Sequence, residues 1–154
     1  MSTEAVPARR GVRLALDWGT VRVGVAACDP QGILAYPVSV LQVSPAIFAT
    51  IGNLVAEYDA VEVIVGLPLS LDGSEGLAAK RIRDVVASLK QSVKVPIRGL
   101  DERLTTVAAS NQLRAAGRSA KQQRRLIDAA AAVNLLDAAL RAERASGFTA
   151  GNIL

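Results

Sequence analysis

The chain has 154 residues, 51% of them hydrophobic, with a net charge of +4 and no histidine. Serine–histidine and cysteine–histidine catalysis are therefore excluded, as is an ordinary zinc site, so acid–base chemistry falls to carboxylates, lysine, tyrosine or a metal-bound water. The single cysteine, Cys28, excludes an internal disulfide, and no apolar run approaches the roughly 20 residues of a membrane span.

Residues 1–10 read as a flexible tail without the apolar centre of a signal peptide, which implies a cytoplasmic protein. Arg13–Trp18 and Arg22–Cys28 read as two strands joined through Gly19-Thr20. Asp29-Pro30-Gln31-Gly32 is a turn signal, with proline second and glycine fourth. A third strand over Ile33–Leu41 contains Pro37, which favours a sheet edge. Ser44-Pro45 then opens a helix over about 45–58, with Ile47, Phe48, Ile51, Leu54, Val55 and Tyr58 at helical spacing. Val61–Leu67 is β-branched and closed by Pro68, as a buried strand is. After the loop Leu69–Gly76 comes a second helix with Leu77, Ile82, Val85, Val86 and Leu89 on its apolar stripe, then a fifth strand over Val95–Asp101. Two helices finish the chain. One runs from about Thr106 to Ala116 and stops at Gly117; the other follows Ser119-Ala120-Lys121-Gln122, a capping-box pattern, to about Arg144. Ser146–Leu154 reads as a loose tail.

The resulting domain, 11–145, has the order βββαβαβαα. A three-strand meander feeding right-handed crossovers gives an α/β protein with a five-stranded mixed sheet and helices on both faces. That order is the one found in the RNase H-like fold, whose central first strand ends in an aspartate.

Asp17 closes the first strand between Leu16 and Trp18, where an unpaired carboxylate would cost several kcal/mol, roughly. Its partner is either Arg22 or a metal. Most of the fourteen acidic residues read as solvated surface charges, among them Glu57, Asp59 and Glu62 beside a strand start and Asp84 and Glu143 on helix faces. Asp72, before Gly73, reads as a turn. Asp17, Asp101, Glu102, Asp128 and Asp137 remain. The first and fifth strands end on one sheet edge, and alternation lets one of Asp101 and Glu102 face Asp17 while the other pairs with Arg103. On a helical wheel Asp137 lies nearer the stripe of Leu126, Val133, Leu136 and Leu140, whereas Asp128 is followed by alanines that admit close approach. Converging carboxylates need cations, and hard oxygen ligands suit Mg²⁺ or Mn²⁺. Between Glu102 and Asp128 there is no acid, and Arg103, Arg114, Arg118, Lys121, Arg124 and Arg125 could track a phosphate backbone. Aromatic residues make up only 3% of the chain, so recognition by shape and backbone fits better than base stacking.

Four motifs together resemble one family over about residues 12–143: Leu16–Ala26, Gly66-Leu67-Pro68-Leu69 with Asp72-Gly73, Asp101-Glu102-Arg103-Leu104-Thr105-Thr106, and Ile127–Ala132. They are similar to those of the YqgF (RuvX) family of RNase H-like nucleases. The resemblance implies a cytoplasmic, divalent-metal-dependent nuclease. Its expected substrate is the 5′ end of the small-subunit (16S) ribosomal RNA precursor or, alternatively, a Holliday junction, for which a homodimer suits the symmetry. It implies Asp17, Asp101, Glu102 and Asp128 as catalytic carboxylates, with Asp17, Glu102 and Asp128 holding the metal and Arg22 and Arg103 contacting phosphate. Trp18 and Val21 depart from the family pattern without removing a carboxylate. Two other classes compete: a nucleotide-binding module, since Asp17–Gly24 resembles a phosphate loop of actin-like ATPases, and a non-catalytic RNA-binding assembly factor.

Overall fold

The computed structural model of the chain describes residues 7–8, 10–104 and 120–154, with side chains in the last helix from residue 129 onward. The helix expected over 106–116 lies outside the described residues, as do Arg114, Arg118 and the capping residue Ser119. The strands are β1 (Arg13–Trp18), β2 (Arg22–Cys28), β3 (Ala35–Gln42), β4 (Glu62–Leu67), β5 (Ile97–Asp101) and β6 (Asn152–Ile153). The helices are α1 (Ile47–Glu57), α2 (Leu77–Leu89) and α3 (Ala120–Ser146), and Glu102–Leu104 forms a 3₁₀ turn. No helix among the described residues is long and apolar enough to cross a membrane.

The sheet runs β3-β2-β1-β4-β5-β6, six strands rather than the expected five. The extra strand comes from residues read as a loose tail. Backbone pairing of Arg98 with Ile153 and Gly99 with Asn152 draws them in, and Leu154 packs into the space that Gly99 leaves open. β3 is an edge strand, as Pro37 requires, and the β2–β3 register shifts between Val25 and Ala26, opposite the proline. β1 is antiparallel to β2 but parallel to β4, and β4 is parallel to β5. The carboxyl ends of β1, β4 and β5 therefore share one edge.

Alternation divides β1 between two cores. Leu14, Leu16 and Trp18 join the cluster formed with Ile47, Ile51 and Val55 of α1 and Ile82, Val86 and Leu89 of α2. Trp18 stacks on Phe48 with ring centroids 5.9 Å apart, fixing α1 over the end of β1. Ala15 points to the other face, where Ala26, Ile64 and Leu100 meet Ala132, Leu135, Leu136, Ala139 and Leu140 of α3. The sheet-facing stripe of α3 is thus as much alanine as leucine. Asp137 lies beside it, in an exposed 2.8 Å pair with Arg141.

The α3 face also buries four charges at the end of the sheet away from Asp17. Arg13 pairs with Glu143 at 3.2 Å and Arg98 with Glu62 at 3.0 Å, and each of the four residues is 7% exposed or less. Glu62 and Glu143 are therefore not the solvated charges that their places in the sequence suggest. They open a central strand and close a covering helix, and α3 shuts both from water. Removing one member of a buried pair strands its partner. Arg13→Met is expected to cost about 3–5 kcal/mol in urea denaturation, while Arg83→Met, which breaks only the exposed pair with Glu75, should cost far less.

Candidate active site

Asp17 lies near the carboxyl end of β1, half-buried, on the same face as Ala15 and hence on the α3 side. Its registered neighbour on β2 is Gly24. On the other side, the register continues one step past Leu16 and Val65 to set Asp17 beside Gly66 of β4. The acid therefore stands between two strand positions without side chains.

The acidic pair after β5 divides. Asp101 pairs with Arg103: Arg103 Nε donates to both carboxylate oxygens at 3.0 and 2.9 Å, and Nη2 donates to Oδ2 at 2.6 Å. The backbone N–H of Arg103 adds a further bond to Oδ1 at 2.9 Å. This arginine holds the Asp101 carboxyl below its ordinary range. Glu102 opens the 3₁₀ turn and folds back across Gly66 to hydrogen-bond Asp17. Burial, the charge of Asp17 and that hydrogen bond together push the Glu102 carboxyl above the usual range. Two acids in contact in a half-buried edge are a poor arrangement without a proton or cation between them, and hard oxygen donors of this kind fit Mg²⁺ or Mn²⁺.

Asp128 belongs to α3, one turn before Ala132, and its side chain lies outside the described residues. Among those residues no three His, Cys, Asp or Glu side chains gather about a common point. The same limit applies to Lys121, Arg124 and Arg125, which fall on α3 where only the backbone is described. Arg22 starts β2, exposed, and alternation sets it on the α3 face with Gly24 and so with Asp17.

Arg103 does more than hold Asp101. Its Nη1 donates to the carbonyls of Ser70 at 3.3 Å and Leu71 at 3.0 Å, fastening the loop between β4 and α2. That loop is a closed turn: Gly73 donates to Ser70 at 2.8 Å, Ser70 to Ser74 at 2.9 Å, and Asp72 accepts from the backbone N–H and hydroxyl of Ser74 at 2.9 and 2.6 Å. It leaves Leu71 97% exposed beside the acidic edge. Two features escaped sequence reasoning: Arg103 as a loop fastening and Gly66 as the floor under Glu102. A glycine inside a β-branched strand was the available signal for the second.

A six-stranded mixed sheet covered by helices, with acids gathered at the carboxyl edge of its central strand, defines an RNase H-like α/β protein. Thermus thermophilus RuvC, solved in complex with a Holliday junction substrate, has the same fold, with a TM-score of 0.63 and 14% sequence identity over 94% of this chain and 99% of that one. A second Thermus thermophilus RuvC structure gives 0.53 at 17% identity, over 93% and 99%. The chain belongs to the RuvX family, described as Holliday junction resolvase, whose profile matches residues 11–142. A relative from Streptomyces coelicolor is 51% identical over 146 residues, covering 93% of this chain and 87% of its own length. One from Thermobifida fusca is 45% identical over 154 residues, covering 95% and 97%. Both are provisionally named pre-16S rRNA nuclease.

The fastening gives a direct expectation. Arg103→Ala should raise amide hydrogen exchange at Gly73 and Ser74 several-fold while the melting temperature hardly moves, because the arginine anchors the loop and not the core. Unchanged exchange there would show that the turn holds itself.

Proposed function

We propose that the chain is a divalent-metal-dependent nuclease that trims the 5′ end of pre-16S rRNA. The observation that carries this reading is the contact between Asp17 and Glu102 at the carboxyl edge of β1, in a chain of the RuvX family. Asp17 and Glu102, with Asp128 from α3, are the residues that would hold Mg²⁺ or Mn²⁺. Bound there, the ion would activate water and offset the charge that develops on the phosphodiester.

The protein's own groups have separate tasks. Asp17 and Glu102 present oxygen ligands from one side of the sheet. Asp101 keeps Arg103 in place and, through it, the loop that borders the site. Arg22, exposed on the same face, is positioned to meet a phosphate. With no histidine in the chain, protons leave through carboxylates or solvent.

The family description and the RuvC neighbour support a second reading, cleavage of Holliday junctions. A junction enzyme needs two active sites related by symmetry and hence a dimer. Purified protein with Mn²⁺ should be offered a pre-16S RNA and a four-way DNA junction, alongside size-exclusion chromatography. Shortening of the RNA by a monomer supports the first reading, and paired nicks by a dimer support the second. Asp17→Asn and Glu102→Gln should each lower cleavage by about a hundredfold or more with the fold intact by circular dichroism. Undiminished cleavage by Asp17→Asn would overturn the proposed site.

A further inference from the structure

Gly66 is a costly residue where it stands. It lies inside β4, a strand buried along its whole length, and pairs with Leu100 of β5. Glycine in a strand interior loses packing and adds unfolded-state entropy, roughly 0.5–1 kcal/mol relative to alanine. Its backbone does not require it: the positive-φ glycines among the described residues are Gly11, Gly32, Gly73, Gly147 and Gly151, and Gly66 is not one of them.

What excludes a side chain is Glu102. A Cβ built on residue 66 would stand 2.5 Å from Glu102 Oε1, 2.9 Å from its Cγ and 3.1 Å from its Cδ, and these are its three nearest neighbours. Elsewhere the tight glycines include some blocked by backbone, as Gly52 is by the Ser92 carbonyl and Gly19 by that of Arg22. At Gly66 the obstacle is the far part of one flexible acid. An alanine there would leave the strand standing and move the carboxylate.

We propose that Gly66 is a positioning residue: the space left by its missing side chain seats the Glu102 carboxylate against Asp17, and through Glu102 sets the affinity of the acid pair for a divalent cation. This inference rests on the reading of Glu102 as a metal ligand. The seat explains why the chain tolerates a glycine among Val63, Ile64, Val65 and Leu67, and why the acid after β5 can reach back over β4 to a residue on β1.

The test uses the whole chain and Mn²⁺ alone, titrated by calorimetry, with Gly66→Ala, Glu102→Gln and the double variant, plus a metal-free crystal structure of Gly66→Ala. The alanine variant is expected to melt close to wild type, to show the Glu102 carboxylate displaced from residue 66, and to bind Mn²⁺ about tenfold or more weakly, as loss of a ligand's support does. In the Glu102→Gln background the same alanine should change Mn²⁺ affinity no further, a non-additivity that mere loosening of the strand would not produce. A carboxylate that keeps its seat in the Gly66→Ala structure overturns the inference, and so does a Gly66→Ala loss that adds in full to that of Glu102→Gln. Wild-type Mn²⁺ affinity in Glu102→Gln would instead remove Glu102 from the metal site; the proposed metal reading then fails, and with it the affinity role of Gly66, whatever the crystal structure shows of the seat.

Discussion

Two carboxyl groups held against each other in a half-buried sheet edge are the constraint around which the molecule is arranged. Like charges at that separation repel unless a proton or cation lies between them, and the pressure shows in the raised Glu102. The contact survives because each acid is fixed by an element that cannot yield cheaply. Asp17 belongs to the central strand, covered on both faces. Glu102 follows β5 at the point where the chain tightens into a 3₁₀ turn. Parallel pairing of β1, β4 and β5 brings their ends to one edge, so topology supplies the convergence that residues 85 positions apart in sequence could not reach locally.

Much of this was legible in the sequence because it depends on period and punctuation. The short links after β1 and β2 forced a meander, Pro37 put β3 at an edge, and the β-branched run before Pro68 read as a buried strand. The charges were harder. Glu62 and Glu143 look like any other acids near element ends, and only the packing of α3 over both reveals that they are shut from water with Arg98 and Arg13. The α3 wheel left Asp128 and Asp137 undecided for a related reason: it ranks positions by leucine and valine, yet Ala132 and Ala139 are fully buried where the helix lies close to the sheet. The sixth strand was missed since a two-residue pairing has no period to read.

The division of Asp101 and Glu102 shows how adjacent acids acquire separate work. Alternation left open which of them faces Asp17. Leu100 faces α3, so alternation along β5 sets Asp101 on the opposite face, within a ring of donors from Arg103, while Glu102 returns to the α3 face of Asp17 and crosses Gly66. Arg103 in turn spends Nη1 on the Ser70 and Leu71 carbonyls. An arginine that sequence reasoning assigned to phosphate is engaged with its own loop, and Arg22 is left as the described basic side chain on the α3 face at that edge.

The buried charges at the far end of the sheet have a metrical consequence. The ion pair between Arg13 and Glu143 acts as a datum: it fixes where along the sheet the helix is allowed to stop. From that point α3 runs back as a rigid rod, and at about 1.5 Å per residue it sets position 128 about 22 Å up its axis. Loss of a single residue between the two would turn position 128 by about 100° around the helix and draw it back along the axis. The helix is therefore a gauge, and its length in residues fixes how far position 128 stands from the buried charges.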